Sequence, residues 1–435
     1  MKRLITNKLL AWKDKKNRKP LIIRGARQIG KSHTITEFGK KHFKNKIHII
    51  NLEQNPEYCS IFKKNFDTER IISELEIVLG NKINTGNDLL FIDEIQECPE
   101  AITSLRYFYE NSPDLHVIAA GSLIEFALKD VSFPVGRVQI LEMYPMNFYE
   151  FLLATENNTL AEKIISKPEN LSDIILEKAL DELHKYFIIG GMPECIKTYA
   201  NSKSLIDVFE IQDNLISTFR QDFSKYSGHS DKRCLNSILT SISQNIGVQI
   251  KYTRLSDDFS SPTIKKAFEL LETARLFSKV KASSPSGIPL GANASEKIFK
   301  AVFLDIGLLS RLNGYSVGLP LNKKNISATF SGMMAEQFVG QELLSAGHKE
   351  LFYWSRSQKS SKAETDYLTE QEGKIIPIEV KSCSAGRLRS LHLLLETFKN
   401  IEIAYVFSEN NFSVLPEQKL IFAPLFYVNS IFGKK

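Results

Sequence analysis

Residues 20–33 combine a short apolar run, a glycine-bounded loop and a lysine–serine pair, which together suit phosphate binding. The loop reads GARQIGKS and fits the pattern G-x-x-x-x-G-K-[ST]. Its backbone N–H groups would face phosphate oxygens, Lys31 would reach the β and γ phosphates, and Ser32 would help to hold Mg²⁺. The residues predicted to bind ATP with Mg²⁺ are Gly25, Ala26, Arg27, Gln28, Ile29, Gly30, Lys31, Ser32 and His33.

A second apolar run, residues 89–92, ends in the acidic pair Asp93-Glu94. A phosphate-binding loop requires such a strand. Asp93 would hold Mg²⁺ through its water shell, and Glu94 would orient and deprotonate the attacking water. The alternative is a strand that simply ends in acidic residues.

Two further residues are candidates for the same site. Ser122 ends the apolar run 116–122, which could lie beside the acidic strand, so Ser122 is either a sensor of the γ-phosphate or a helix N-cap. Arg137 is either an arginine finger or sensor that completes the site, or a member of a structural ion pair.

Residues 364–382, ETDYLTEQEGKIIPIEVKS, read as a hairpin centred on Glu372-Gly373. Folding about this centre places Asp366 opposite Glu379, and Lys381 on the same face as Glu379. Two facing carboxylates repel, unless a divalent cation such as Mg²⁺ lies between them.

Glu336, on the helix predicted upstream, is the third candidate ligand of that cation, after Asp366 and Glu379. A cation held there can activate water and stabilise an attacked phosphodiester, while Lys381 positions the water or neutralises the developing charge. Alternatively, Lys381 neutralises the two carboxylates without metal, and the module is catalytically inactive.

These sites require elements that position them. Apolar runs at residues 20–24, 47–53, 89–92 and 116–122 alternate with helical patterns, which predicts an α/β fold with a parallel sheet over residues 1–150. Residues 151–234 read as a helical connector, broken at 190–193 by Gly-Gly-Met-Pro, which is either a hinge or a loop that needs glycine dihedrals.

Residues 235–320 predict a winged-helix-like module, with three helices (within 235–247, 252–260 and 261–277) and two strands (277–282 and 297–305). Lys265 and Lys266 would meet DNA, unless the module docks proteins instead. Residues 321–435 predict a helix, a strand at 350–357, the hairpin, and then a further helix and strand, an α/β arrangement.

The bulk composition is that of a globular protein, with 43% hydrophobic and 24% charged residues and a net charge of +6. Residues 1–46 carry a strong positive excess, which would attract phosphate or simply form a solvated surface. The longest apolar runs are too short to span a bilayer, a signal peptide is not expected, and five scattered cysteines fit a reducing cytoplasm.

The segments RGARQIGKS, LLFIDEIQE, IAAGS and GRVQILEMYPMNFYEFL resemble a family of prokaryotic AAA-type P-loop ATPases with a C-terminal domain of unknown function. The match continues through YFIIGGMPECI and FLDIGLL to the hairpin. Asp366 with Glu379-x-Lys381 also resembles the PD-(D/E)xK nuclease pattern, which implies a restriction-endonuclease-like fold for residues 321–435.

These resemblances imply a protein that hydrolyses ATP with Mg²⁺ and couples its nucleotide state to a nuclease-like domain acting on DNA or RNA. The alternative is an ATP-dependent switch or scaffold that regulates partner proteins, with the nuclease-like domain silent. A homo-oligomer is compatible with either function.

Overall fold

The protein is described from a computed structural model. The structure describes residues 1–122, 124, 134–226, 231–315, 328–358, 361–382 and 388–433. The chain divides into two compact units, residues 2–144 and residues 145–435. Of the helices within the described ranges, none combines the length and the apolar character that a membrane span requires.

The first unit is a parallel sheet with helices. Its elements in chain order are α1 (Ile5–Lys13), β1 (Leu21–Arg24), α2 (Lys31–His42), β2 (Ile47–Asn51), α3 (Cys59–Lys64), α4 (Thr68–Leu79), β3 (Leu89–Asp93), α5 (Pro99–Asn111), β4 (His116–Gly121) and β5 (Gln139–Glu142). The strand order is β2-β3-β4-β1-β5, and every paired strand runs parallel.

The predicted α/β fold with a parallel sheet is confirmed for this unit, with β1 to β4 at the predicted apolar runs. The side chains of β3 and β4 are buried along both strands, as expected where helices cover both faces of a parallel sheet. Because the strands are parallel, their carboxyl ends meet at one edge of the sheet. This edge carries the loop after β1, the acidic end of β3 and the residue after β4.

The second unit begins with helices. They are α6 (Phe148–Ala154), α7 (Asn158–Ile165), α8 (Asp173–Ile189), α9 (Pro193–Ser202), α10 (Leu205–Tyr226), α11 (Lys232–Gln244) and α12 (Ser261–Thr273). Asn147 and Glu150 form a reciprocal capping box at the start of α6, which fixes where that helix begins.

A mixed sheet and further helices complete this unit. The elements are β6 (Phe277–Ala282), β7 (Ser295–Phe303), α13 (Ile306–Leu312), α14 (Ala328–Ala346), β8 (Leu351–Gln358), β9 (Ser361–Gln371), β10 (Lys374–Val380), α15 (Arg389–Thr397), β11 (Ala404–Ser408), β12 (Ser413–Leu415), β13 (Leu420–Pro424) and α16 (Val428–Phe432). The sheet order is β12-β13-β11-β10-β9-β8-β6-β7.

The winged-helix prediction is only partly matched by these elements. The prediction of a second helix over residues 252–260 is wrong. A single 3-10 turn, Tyr252–Arg254, is found there, and the polar segment Ser256–Ser260 that follows is not helical. The two predicted wing strands are present as an antiparallel pair, β6 and β7. However, β6 also pairs in parallel with β8, so the wing is the edge of the larger sheet.

The Gly190-Gly191 break lies inside the second unit, where a buried carboxylate holds it. Gly191 donates its N–H to Asp305 at 2.5 Å, and Asp305 also accepts from the N–H of Leu308 at the start of α13. Gly190 has φ +78°, and a Cβ there would lie 2.1 Å from a carboxylate oxygen of Asp305. These contacts favour the interpretation of the break as a loop that needs glycine over that of a hinge.

Candidate functional site

The phosphate-binding loop connects β1 to α2. Three residues have positive φ, namely Gly25 (+154°), Gln28 (+63°) and Gly30 (+83°), and they curl the backbone between strand and helix. Gly25 also passes so close to the carbonyl oxygen of Met143 that a Cβ would lie 2.2 Å from it. The glycine at the start of the motif is therefore required by space as well as by dihedral angle.

Lys31 is the first residue of α2 and lies folded over the loop. Its side chain is buried (7% exposed), and its Nζ donates to the carbonyl oxygens of Ala26 (2.7 Å) and Gly25 (3.0 Å). The ammonium group is thus already at the concave side of the loop, where phosphate oxygens would replace these carbonyl partners.

Asp93 lies at the end of β3, next to Ser32. The Ser32 hydroxyl donates a hydrogen bond to the Asp93 carboxylate, whose pKa is raised by burial and by the charge of Glu94, against the effect of Ser32. Asn51, at the end of β2, donates to Asp93 more weakly, at 3.5 Å. The two residues predicted to hold Mg²⁺ are therefore in direct contact.

Glu94 follows Asp93 and has a left-handed backbone conformation (φ +49°). Its Oε2 accepts a hydrogen bond from the amide Nε2 of Gln96 at 2.6 Å. A non-glycine residue in this region is strained, so the contact with Gln96 helps to hold the carboxylate in place. The sequence reasoning did not single out Gln96.

A cleft of about 330 Å³ lies at this edge of the sheet, and Asp93 is not among the residues that line it. Its lining residues are Arg27, Gln28, Gly30, Lys31, Ser32, His33, Glu53, Glu94 and Ser122. Ser122 follows β4, between the strands that carry the loop and the acidic pair, and its hydroxyl accepts from Arg27 Nε at 3.2 Å. Ala26 and Ile29 are buried, so they contribute backbone groups to the loop.

Arg137 is not among the residues that line this cleft. Its Nε donates to Glu110 on α5 at 2.9 Å, and its guanidinium stacks over the Tyr109 ring, 5.9 Å from the centroid. This contact corresponds to the ion pair that was the alternative interpretation of Arg137. With 46% of its side chain exposed, the pair contributes little to stability.

The predicted register of the hairpin is confirmed. β9 and β10 pair antiparallel with Ile378 opposite Tyr367, so the next pair outward is Glu379 and Asp366. The turn residues Glu372 (φ +50°) and Gly373 (φ +74°) both lie in the left-handed region, as a two-residue type I′ turn requires. Beyond the last paired residue, Val380 donates its N–H to Asp366 at 2.7 Å.

A lysine that sequence reasoning missed lies among the acidic residues. Lys300 Nζ contacts Glu336 on α14 at 2.9 Å, Asp366 at 3.4 Å and Glu364 at 2.5 Å. Although burial alone would lower it, the charges of Glu336, Asp366 and Glu364 raise the pKa of Lys300 well above its ordinary value. The signal was a single lysine inside the apolar run IFKAVF.

Glu379 is opposite Asp366 when the hairpin register is continued by one pair. Burial, and then the charge of Asp366, raise the pKa of Glu379 to about 8. One carboxylate oxygen accepts from Lys381 at 2.6 Å, while Oε2 is buried without a hydrogen-bond partner. Among the described residues, no group of three or more His, Cys, Asp or Glu side chains is arranged to hold a metal ion. Glu336 and Asp366 instead contact Lys300, and Glu379 contacts Lys381, so the three predicted ligands do not form a three-ligand metal group.

The two lysines predicted to contact DNA lie on the surface. Lys265 and Lys266 are exposed on α12, and Lys265 pairs with Glu269 at 3.7 Å.

Family models match three segments of the chain. Residues 17–152 match a family described as an AAA domain, and residues 180–319 and 331–426 match families described as domains of unknown function (DUF8612 and DUF4143). An uncharacterized protein of Methanocaldococcus jannaschii (MJ1544) is 28% identical over 174 residues, which are 40% of this chain. The match spans only 35% of the length of that relative.

The solved structures to which the chain is similar include the Walker-type ATPase PABY2304 of Pyrococcus abyssi. The TM-score is 0.45 at 14% identity, and the match covers 71% of this chain and 94% of that one. The Thermotoga maritima RuvB Holliday junction branch migration motor has a TM-score of 0.31, 14% identity, and coverage of 63% and 88%. AMPPCP-bound DnaA from Aquifex aeolicus has a TM-score of 0.30, 13% identity, and coverage of 62% and 89%.

The first third of the chain therefore resembles an AAA domain and carries a P-loop motif, and two segments that match domains of unknown function follow it.

Proposed function

We propose that the protein hydrolyses ATP with Mg²⁺ at the cleft between the loop after β1 and the end of β3. The observation that supports this most strongly is the cleft lined by Lys31, Ser32 and Glu94, with Asp93 directly before Glu94 at the end of β3. In this proposal the Ser32 hydroxyl and the Asp93 carboxylate hold the cation, beside the Lys31 ammonium group and the Glu94 carboxylate, which acts as a base.

Each residue has a separate role in this proposal. Lys31 leaves the carbonyl oxygens of Gly25 and Ala26 and binds phosphate oxygens. Ser32 and Asp93 hold Mg²⁺, which supplies positive charge to the phosphate oxygens when bound. Glu94 accepts a proton from the attacking water. Ser122 donates to the γ-phosphate, since its hydroxyl lies at the same edge of the sheet.

Binding of ATP to variants tests the first role. Lys31→Ala should weaken ATP binding by roughly 100-fold, because a charge-assisted contact to phosphate is lost, as measured by calorimetric titration in Mg²⁺. Lys40→Ala is the matched control, because Lys40 lies on the same helix α2, exposed and paired with Glu37. If Lys31→Ala bound ATP as the unaltered protein does, the assignment of the loop would be wrong.

We propose further that the nucleotide state controls a nuclease-like domain in the second unit, which acts on DNA or RNA. Asp366 and Glu379 would hold a divalent cation, with Lys381 beside them. Mg²⁺ in proteins commonly uses one or two carboxylates and completes its shell with water and substrate phosphate. The buried, unpartnered Oε2 of Glu379 supports this proposal.

A second candidate function, an ATP-dependent switch or scaffold with a silent C-terminal domain, is favoured by one observation. Lys300 and Lys381 already contact the carboxylates of the cluster, so part of its charge is neutralised by the chain itself. Helix α14 and the hairpin would then serve to hold the sheet together rather than to cleave a substrate.

Incubation with nucleic acid distinguishes the two. DNA and RNA substrates would be incubated with Mg²⁺ or Mn²⁺, with and without ATP. Cleavage that Asp366→Ala and Lys381→Ala abolish supports the nuclease, provided that Lys374→Ala retains it. Lys374 is the matched control because it is an exposed lysine on β10, the strand that Lys381 follows, and is paired with Glu402. Absence of cleavage under every nucleotide condition supports the switch.

A further inference from the structure

Arg3 lies just before helix α1 and contacts the phosphate-binding loop. Its Nη1 donates to the carbonyl oxygen of Ile29 at 3.0 Å, and its Nη2 donates to the carbonyl oxygen of Tyr144 at 2.6 Å. A guanidinium group carries its donors in a planar, rigid fork, which suits it to span two fixed acceptors. Arg3 therefore joins the loop to a segment that lies more than a hundred residues further along the chain.

The segment that ends at Tyr144 is itself fixed to strand β1. Glu142, the last residue of β5, is opposite Arg24 in the parallel register and accepts from its Nη2 at 2.7 Å. The N–H of Met143 donates to the carbonyl oxygen of Arg24 at 2.9 Å, and the hydroxyl of Tyr144 donates to the second carboxylate oxygen of Glu142 at 2.7 Å. One of the two acceptors of Arg3 is thus held in place by the sheet.

The Ile29 carbonyl that Arg3 binds belongs to the same peptide unit as the N–H of Gly30. This peptide is trans, and in a planar trans peptide the carbonyl oxygen and the N–H point in opposite directions. Gly30 lines the cleft, whereas neither Ile29 nor Arg3 does. A contact that fixes the Ile29 carbonyl therefore also fixes the direction in which the Gly30 N–H points.

We propose that Arg3 is a positioning residue for nucleotide binding, which holds the Ile29 carbonyl so that the Gly30 N–H points at the α and β phosphates. Backbone N–H groups of a loop with this sequence pattern bind these two phosphates. Glycine restricts its own backbone angles weakly, so the orientation of the peptide before Gly30 (φ +83°) depends on contacts from outside the loop. This inference rests on the ATP site proposed above.

Titration of the full-length protein with ATP and with ADP, well below its melting temperature, tests the inference. Both nucleotides carry the α and β phosphates, so Arg3→Gln should weaken the binding of both by about tenfold, the effect of losing one hydrogen bond from a charged group. In steady-state phosphate release the KM for ATP should rise by a similar factor with kcat unchanged, because binding common to the ground state and the transition state is lost. A loss confined to ATP, a fall in kcat at unchanged KM, or unaltered affinity for both nucleotides would overturn the proposal.

Two further variants keep the test decisive. Lys2→Gln is the matched control, since Lys2 is the neighbouring basic residue and is exposed; it should bind both nucleotides as the unaltered protein does, and a loss equal to that of Arg3→Gln would overturn the proposal. Arg3→Lys keeps the charge but lacks the planar fork, so its affinity for both nucleotides should lie between those of Arg3→Gln and the unaltered protein. If Arg3→Gln does not fold, unaltered affinity in Arg3→Lys would overturn the proposal.

Lys31→Ala separates this inference from the proposal on which it rests. If the unaltered protein binds no ATP, or if Lys31→Ala binds ATP equally well, the ATP site itself is wrong, and the role of Arg3 with it. If Lys31→Ala loses ATP while Arg3→Gln binds ATP and ADP as the unaltered protein does, the ATP site stands and only the role of Arg3 is wrong.

Discussion

The side-chain amide of Gln96 donates a hydrogen bond of 2.6 Å to Oε2 of Glu94. The carbonyl oxygen Oε1 of the same side chain lies close to the end of β4, since a Cβ on Gly121 would be 2.1 Å from it. Gln96 thus lies between the proposed catalytic carboxylate and the strand that leads to Ser122. This arrangement gives a single side chain the means to orient Glu94.

Gln96→Leu should lower the rate of ATP turnover by about tenfold, the effect of losing one hydrogen bond to a charged group, without changing the KM for ATP. The reason is that Gln96 contacts Glu94 and does not line the cleft. Steady-state phosphate release measures both constants. Gln418→Leu, an exposed glutamine of the other unit, serves as control. A rise in KM with kcat unchanged would contradict a role in orienting Glu94.

Ser122→Ala should weaken ATP binding by about tenfold and leave ADP binding unchanged, because only ATP offers the γ-phosphate to the lost hydroxyl. Calorimetric titration with each nucleotide measures the difference. Ser60→Ala, which removes an exposed hydroxyl bonded to Glu57, should affect neither. Equal losses for ATP and ADP would show that Ser122 only supports the loop through Arg27.

Gly340→Ala should destabilise the second unit by about 1–3 kcal/mol, since overpacking outweighs the gain in helix propensity. A Cβ there would lie 2.5 Å from both the Tyr367 hydroxyl and a Val302 methyl, which is where α14 packs on the sheet. Gly332→Ala on the same helix is the matched control, because its nearest neighbour would be 3.9 Å away.

Denaturant unfolding followed by fluorescence measures the free energy of unfolding of both variants. We expect Gly332→Ala to be neutral or to stabilise by about 0.5–1 kcal/mol. Equal effects of the two substitutions would contradict the close packing that sets Glu336 beside Lys300.

Glu342 predicts a pH dependence of stability. It is buried on α14, accepts from the N–H of Phe148 at 2.9 Å, and burial raises its pKa to about 8. The folded state therefore holds a proton that the unfolded chain releases near pH 4.5. The contribution of this protonated carboxyl group is full at lower pH and is lost as the pH rises to about 8.

Thermal unfolding of Glu342→Gln between pH 5.5 and 8.5 tests this sign. Gln has nearly the same shape and carries no charge, so the melting temperature of the variant should fall less with rising pH than that of the unaltered protein. Glu336 and Glu379 are present in both proteins, and their contributions cancel in the comparison. Parallel pH profiles would show that Glu342 does not titrate in this window.

Local patterns predicted the positions of β1, β3 and the hairpin because each carries its own signal. The phosphate-binding loop is recognisable from the eight residues that begin at Gly25. The hairpin is centred on Glu372-Gly373, and this centre determines the register that places Asp366 opposite Glu379. In both cases the residues that interact are close in sequence, so alternation and turn chemistry suffice.

Contacts between distant segments were not predicted. Lys300 is 36 residues from Glu336 and 66 from Asp366, and β6 pairs with β8 across a long stretch of chain. Nothing in the local pattern of β6 distinguishes a free wing from the edge of a larger sheet. A lone lysine in an apolar run does indicate a buried charge, but not which carboxylates compensate it.

Phosphate release by Glu94→Gln tests the central claim most directly. The claim is that the first unit is an ATPase in which Glu94 activates water. With Mg²⁺ and saturating ATP, the unaltered protein should release phosphate steadily. Glu94→Gln should bind ATP with similar affinity but release phosphate at least about 100-fold more slowly. Phosphate release by Glu94→Gln at the rate of the unaltered protein would contradict it.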